Sequence, residues 1–593
     1  MTTTAAYSTA HVRTLAHALR LRAQEQPDAR AYVFLRNGED PHESLTYGQL
    51  HAEAGRRAAA FAAAGLAGRS AVLLYPSGLE FVRALAGCMY ARVAGAPVQV
   101  PRRREEVERL RRIADDAGTS TVLTTTDVMR ELGERFAGMP ALQGLRLLAT
   151  DALPQSVKAA PGAGADAEPE DVALLQYTSG STGDPKGVVV SHANFLANAA
   201  ETDELWPCAP RGAVVNWLPL FHDMGMMFGV VMPLWAGIPS YLMAPEAFIR
   251  RPARWLEAIA RFGGTHAAAP SFAYELCARA AREGRMGAVG DLSSWRVAAN
   301  GAEPVRWATV RAFADAFAPH GFDPRAMCPG YGLAENTLKA TGGRQDEEPR
   351  VVWLSGEALR NGTAQPVGEH TSGAVPLVSS GTAVGRSRVR IVDPRARRVL
   401  ADGQVGEIWV QGPCVAGGYH GRAQESEETF RARVAGQEAG GVHLRTGDLG
   451  FLHEGQLYVT GRVKDVIIRK GRNHYPQDIE LSAEGALPGA HPNCAAAFSS
   501  DDGQRERLVV VVEADGRLLG ELGGEAIRRR VRQAVAERNR ITPEEVVLVR
   551  RGAVPRTSSG KVQRRACKQR YERGELAVVG VPVGAGGAVK GGA

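Results

Sequence analysis

The stretch Gln176-Tyr-Thr-Ser-Gly-Ser-Thr-Gly-Asp-Pro-Lys-Gly187 constrains this chain more than any other, because it follows an apolar run at residues 172–175 short enough to be a buried strand. Gly180, Gly183 and Gly187 let the backbone turn its N–H groups toward an anion at close range. Thr178, Ser179, Ser181 and Thr182 add hydroxyls, and Lys186 adds a positive charge. The stretch reads as a phosphate-holding loop, with a triphosphate as its guest. It is not the common P-loop, which requires Gly-Lys-Ser/Thr where this chain has Pro185-Lys186-Gly187. A kinase or GTPase is therefore disfavoured. The competing reading is a Ser/Gly-rich surface turn, the commoner fate of such composition.

At 593 residues the chain is too long for one core and divides into two or more domains. Helical periodicity at residues 12–24, 52–64 and 79–93 alternates with strand-like runs at 71–75 and 122–125, and further strands are expected at 214–218, 265–269, 296–299, 388–392, 407–410 and 457–460. Such alternation predicts α/β layers around a largely parallel sheet. A Pro/Gly/Ala-rich linker at 159–171 precedes the opening loop. Beyond about residue 464 the period shortens, with strands at 495–498, 508–512 and 546–549 and a helix at 525–538, which predicts a small second α/β domain. The Gly/Val/Ala-rich residues 577–593 read as a disordered tail.

Several function classes are excluded by charge and cysteine usage. The formal charge of +7 is thin for a chain of this size, and the basic runs Arg102-Arg-Arg104 and Arg528-Arg-Arg530 lie beside Glu105, Glu106 and Glu525, as solvated helix faces do. Nucleic acid is not implied, although local basicity suits an acidic protein partner. The seven cysteines (88, 208, 277, 328, 414, 494, 567) are scattered, odd in number and without a CxxC pair, which argues against a disulfide framework or zinc site and fits a reducing cytoplasm. Residues 224–245 carry no charge, but Gly225, Gly229, Pro233, Gly237 and Pro239 interrupt them, so a core helix leading into a strand is expected and no membrane span.

Polar clusters follow the predicted strands, where ligands of α/β sheets bind. Asn300-Gly-Ala-Glu-Pro304 follows a strand, Tyr331-Gly-Leu-Ala-Glu335 follows an expected helix breaker at Cys328-Pro-Gly330, Thr446-Gly-Asp-Leu-Gly450 is expected to precede a hairpin, and Gly461-Arg-Val-Lys-Asp465 to close it. Each alone is an ordinary turn. Together, in this order and with the opening stretch, they resemble the adenylate-forming enzymes: acyl-CoA synthetases, luciferases and the adenylation domains of peptide synthetases. The likeness runs from about residue 12 to residue 570.

The resemblance implies a large multi-layer α/β N-terminal domain over 1–463 and a small mobile α/β domain over 464–576, with a hinge at Lys464. It implies ATP held by the loop residues and Lys186, and adenine framed by Gly301, Ala302, Glu303, Tyr331, Gly332 and Leu333. Asp448 and Arg462 would meet the ribose, and Mg²⁺ would sit on Glu335 with Thr178. Lys561, in Thr557-Ser-Ser-Gly-Lys-Val562, resembles the family's catalytic lysine; Glu335 and His222 complete the catalytic candidates.

Asn216-Trp-Leu-Pro-Leu-Phe-His-Asp-Met-Gly225, Ala268-Ala-Pro-Ser-Phe272 and Arg469-Lys-Gly-Arg-Asn-His-Tyr-Pro-Gln-Asp478 resemble one branch in particular, the fatty acyl-AMP ligases. That implies a fatty acid substrate and a holo acyl carrier protein as acceptor. Only about thirty residues follow Lys561, too few for a carrier domain, so the carrier is expected on another chain. Met224, Met226, Met227, Phe228, Ser271 and Phe272 are candidates for an acyl channel, with a core role equally open for most of them. Residues 353–380 look like the branch's insertion, set to brace the large domain against full rotation of the small one. An acyl-CoA synthetase, an amino-acid or aryl-acid adenylating enzyme and an inactive scaffold remain as alternatives.

Overall fold

Residues 11–154, 156–159, 162–178, 185–208, 212–437, 440–469, 472–501, 506–557 and 560–579 are described by a computed structural model. The apolar run at 172–175 lies in the strand Val172–Thr178, second from one edge of a six-stranded sheet, between its antiparallel neighbour Lys186–Ser191 at that edge and the parallel strand Ala94–Val98. The remaining strands, Ser70–Leu74, Thr121–Thr124 and Arg146–Ala149, continue the sheet in parallel. An eight-stranded sheet stands beside it. Its six inner strands, from Met327–Gly332 through Val297–Gly301, His266–Pro270, Val214–Asn216 and Ser240–Leu242 to Arg30–Arg36, are parallel, and each edge is closed by an antiparallel strand. The parallel strands are short and almost wholly apolar because helices cover both faces.

A third, four-stranded antiparallel sheet is built from Arg388–Val392, Gly406–Gln411, Leu444–His453 and Gln456–Arg462. Residues 495–549 add a three-stranded sheet whose faces feed two separate cores. Leu508, Val510 and Val512 point to the side of the helix Gly524–Asn539, while Val509 and Val511 point to the side of Arg564–Glu572. Burial on both faces explains the unbroken apolar run there.

Two local expectations are corrected. Cys328-Pro-Gly330 breaks no helix; it lies inside the strand Met327–Gly332. Pro329 is tolerated because the strand changes partner at that point, pairing with Val297–Gly301 through residue 329 and with Lys339–Gly342 from Gly330 onward. Likewise Thr446–Gly450 does not precede a hairpin but lies within one of its strands, Leu444–His453, with the turn at Glu454-Gly455.

The uncharged stretch at 224–245 forms a broken helix, Asp223–Met226 and Met232–Ala236 joined by the π-helical turn Met227–Val231, and then the strand Ser240–Leu242. Among the described residues no helix is long and apolar enough to cross a membrane. Residues 353–380 are ordered: Val351–Ser355 pairs with Ala374–Val378, and Gly356–Arg360 is helical. Leu354, Leu359 and Ala364 share an apolar cluster with Phe451, Tyr458 and Tyr475, so this segment touches the antiparallel sheet and the start of the C-terminal region together. All seven cysteines are free and buried, and burial pushes every thiol up.

Candidate active site

The antiparallel sheet fixes one carboxylate by register. Asp448 and Arg462 lie directly across from each other on adjacent strands. Arg462 Nε donates to Asp448 Oδ1 at 3.0 Å, and the Tyr331 hydroxyl donates to Oδ2 at 2.8 Å. Asp448 is 7% exposed, so these two donors offset most of the cost of burying its charge. Burial, with Asp448 alongside, holds the Tyr331 hydroxyl well above its usual range, and Asp448 raises Arg462. Each carboxylate oxygen keeps a lone pair able to accept from a sugar hydroxyl. Gly332 has to be glycine, since a Cβ there would stand 2.0 Å from the Leu338 carbonyl oxygen.

Glu335 lies in the short turn Ala334–Asn336. Its Oε1 accepts from the Tyr419 hydroxyl at 2.8 Å, and burial pushes its carboxyl pKa up. Tyr419 is the residue that sequence reasoning missed. It follows Gly417-Gly418 on a segment zipped to the strand Lys186–Ser191, with Val189 N–H donating to Gly418 O at 2.9 Å and His420 N–H to Gly187 O at 2.8 Å. The pair of glycines before an aromatic was the available signal. Lys186 is paired with Glu425 and lies 5.2 Å from the centre of the Tyr419 ring. Two non-glycine residues in the left-handed region flank the site, Ala302 at φ 66° and Thr337 at φ 64°, the latter held by its hydroxyl on Cys414 O at 2.8 Å. Such strain concentrates where surrounding structure overrides local preference.

A hard divalent cation takes oxygen ligands. Glu335, a half-buried carboxylate steadied by a neutral hydroxyl, fits that chemistry. Among the described residues no group of three His, Cys, Asp or Glu could hold a metal alone, so such a cation would need oxygens from its ligand as well. Thr178 ends its strand opposite Lys186. Ser179, Gly180, Ser181, Thr182 and Gly183 lie outside the described residues.

Lys561 reaches this site from the C-terminal region. Burial lowers its pKa, and so does Arg462, while Asp223, Glu303 and Asp448 act in the other direction, so carboxylates of the N-terminal region lie within electrostatic reach of its ammonium. His222 Nδ1 is 2.6 Å from Asp223 Oδ1. Burial alone would raise Asp223; His222 and then Lys561 overcome it and bring the carboxyl down to about 2. Gln176 Nε2 donates to Phe221 O at 2.8 Å, tying the opening strand to the turn that carries His222. Gly301 ends the strand Val297–Gly301 and Ala302 follows it, and Leu333 N–H donates to Leu338 O at 2.8 Å. Lys464 is exposed in the turn after Gln456–Arg462.

The channel candidates separate. Met224, Met226, Met227, Phe228 and Ser271 are at most 5% exposed, and the four apolar ones belong to the main core. Phe272 is half-buried, its ring edge-on to Trp217 at 6.2 Å.

Residues 19–420 match the AMP-binding enzyme model. The chain belongs to that family. In this AMP-binding enzyme residues 464–580 also match the AMP domain of the Disco-interacting protein 2-like family. The chain is similar to the medium-chain-fatty-acid–acyl-carrier-protein ligase JamA of Moorena producens, 40% identical across 95% of this chain and 96% of that one. It is 36% identical to the long-chain-fatty-acid–AMP ligase FadD26 of Mycobacterium tuberculosis, over 93% and 96% of the two chains. A fatty acyl-adenylate ligase from Legionella pneumophila, solved with acyl adenylate and pyrophosphate, superposes with a TM-score of 0.73 at 33% identity, covering 96% and 98%. The AMP-binding enzyme thus has a large N-terminal α/β domain and a smaller C-terminal one.

Proposed function

We propose that this enzyme is a fatty acyl-AMP ligase. A fatty acid carboxylate oxygen attacks the α-phosphorus of ATP, the bond to the β-phosphate breaks, and pyrophosphate leaves an acyl adenylate behind. The phosphopantetheine thiol of a separate holo acyl carrier protein then attacks the acyl carbon, and AMP departs. The observation that carries this reading is the loop of Lys561 packed on the N-terminal region through Gly560 and Phe272, with Asp223, Glu303 and Asp448 within electrostatic reach of a flexible point charge that can bridge two anions as they meet. Bringing those anions together is mainly positioning and electrostatics.

Each residue then has a part. Asp448, with Arg462 and Tyr331, holds the ribose, and the 301–303 and 331–333 backbones frame the adenine. Residues 178–183 and Lys186 take the phosphates, Lys186 exchanging Glu425 for them. Mg²⁺ on Glu335, with Thr178, would neutralise phosphate charge. His222 orients Asp223 beside Lys561. The boundary between domains falls at 463/464, with Lys464 as hinge and 464–576 as the small domain.

The acid is a fatty acid because Asp223, the one carboxylate beside the channel candidates in sequence, is committed to His222 and Lys561, leaving no partner there for an ammonium group. Phe272 and Trp217, the latter stacked on Phe248 at 4.1 Å, offer an apolar wall. Residues 353–380 disfavour the rotation that free CoA would need, through the cluster shared with Tyr475. The test is an acid-by-acceptor panel read by mass spectrometry. Acyl adenylate from medium or long fatty acids, discharged to holo carrier protein and poorly to CoA, is expected, with affinity climbing about 0.8 kcal/mol per buried methylene. Comparable turnover of an α-amino acid, or efficient acyl-CoA synthesis without carrier, would overturn it in favour of another adenylating enzyme or an acyl-CoA synthetase.

A further inference from the structure

The Glu303 side chain is spent away from the nucleotide. Its Oε1 accepts from Phe272 N–H at 2.6 Å, satisfying a free donor in the first turn of the helix Ser271–Arg282, and its Oε2 accepts from Asn493 Nδ2 at 3.0 Å. Asn493 belongs to the C-terminal region, and the same Nδ2 lies 3.5 Å from the carbonyl oxygen of Gly560, the residue before Lys561. One amide nitrogen with two hydrogens therefore faces one acceptor on each side of the seam.

Both ends are built for this. Asn493 adopts φ 58°, a conformation asparagine tolerates better than most residues. Its carbonyl accepts from Arg556 Nε at 2.9 Å, and Arg556 is in turn paired with Glu513 at 2.8 Å. Gly560, at φ 84°, lies against the Phe272 ring so closely that a Cβ would come within 3.0 Å of it. Phe272 thus touches the lysine loop with its ring and Glu303 with its N–H. Other contacts cross the seam, including Arg279 Nη1 to Ala490 O at 2.8 Å and Arg306 to Glu484 at 3.4 Å, but these lie on segments that do not carry Lys561.

We propose that Glu303 and Asn493 form a latch, a positioning pair that holds the Lys561 loop in the adenylate-forming orientation and releases when the carrier thiol is to be admitted. The inference rests on the fatty acyl-AMP ligase reading. A contact that exists in only one orientation shifts the population toward it and leaves the other orientation's chemistry untouched. The latch therefore acts on the first half-reaction alone.

The two half-reactions are measured separately in full-length protein: pyrophosphate release with ATP and fatty acid, and transfer from supplied acyl adenylate to holo carrier protein. Asn493→Ala should slow adenylate formation about tenfold, the worth of one hydrogen bond to a charged group, with the KM for ATP little changed and transfer unimpaired. Asn493→Asp, which sets two carboxylates face to face, should be slower still. Glu303→Gln, which keeps an acceptor, should retain more activity than Glu303→Ala, and the Glu303→Ala/Asn493→Ala double variant should be no slower than the worse single one. Unchanged adenylate formation, or an equal fall in both half-reactions, overturns the latch. So does a raised KM for ATP in Glu303→Ala at unchanged kcat, which would make Glu303 a nucleotide contact. If the wild type forms no adenylate from any acid, the functional reading fails, and that outcome is distinct from all of these.

Discussion

The two halves of the site are made by different means. Asp448, Arg462 and Tyr331 are set by strand register inside the N-terminal domain, whereas Lys561 comes from the C-terminal region on a loop held by side-chain hydrogen bonds. Charge divides along the same line. Residues 1–463 carry 48 Lys and Arg against 48 Asp and Glu, while residues 464–579 carry 22 against 16. On the proposed function the contrast makes binding and rate separable: the register-fixed half would hold the nucleotide, and the delivered half would supply a charge that counts only when it has arrived.

Lys561→Ala tests that separation most severely. Adenylate formation should fall about a hundred- to a thousandfold, the loss of one well-aimed electrostatic group, with ATP affinity nearly intact by calorimetry. A parallel loss of ATP binding would make Lys561 part of the nucleotide-holding half. Glu335→Gln should show the reverse pattern, a metal requirement raised roughly tenfold or more in an Mg²⁺ titration of pyrophosphate release. An unmoved titration would take Glu335 out of the metal site. Tyr419→Phe removes only the hydroxyl from Glu335 and should cost about tenfold at most in the same assay.

The smallest effect is one of stability. Burial, with Glu480 adding, pushes Asp478 up to about 7, against the partial relief of Arg564. A carboxyl bound more tightly to its proton in the folded state costs stability once ionised, so the cost grows as pH rises from about 4 through 7. Asp478→Asn should melt at higher temperature than the wild type at pH 8, with the gap closing toward pH 5. A gap that is independent of pH would assign the change to packing.

The order of the motifs was legible because each keeps its chemistry within a few residues, as those around Asp448 and Glu335 do. Local pattern failed where the partner is distant in sequence. The strand Asp40–Thr46 is polar and escaped notice because, as a sheet edge, it needs no apolar face on either side. Pro329 looked like a breaker because its change of strand partner exists only in the folded sheet. Tyr419 and Asn493 are an aromatic after two glycines and an amide after a proline until folding brings them to Glu335 and Glu303, 84 and 190 residues away.

The buried thiols have a consequence for an enzyme of this kind. An acyl adenylate, the proposed product, is a mixed anhydride that any accessible thiolate would capture, and the proposed acceptor is itself a thiol. With all seven cysteines inside and each held in its protonated form, the protein offers its own product no competing nucleophile of that class. In the proposed reaction, self-acylation at sulfur would be prevented by where those atoms are placed, and the activated acyl group would keep its reactivity for a partner that arrives from outside.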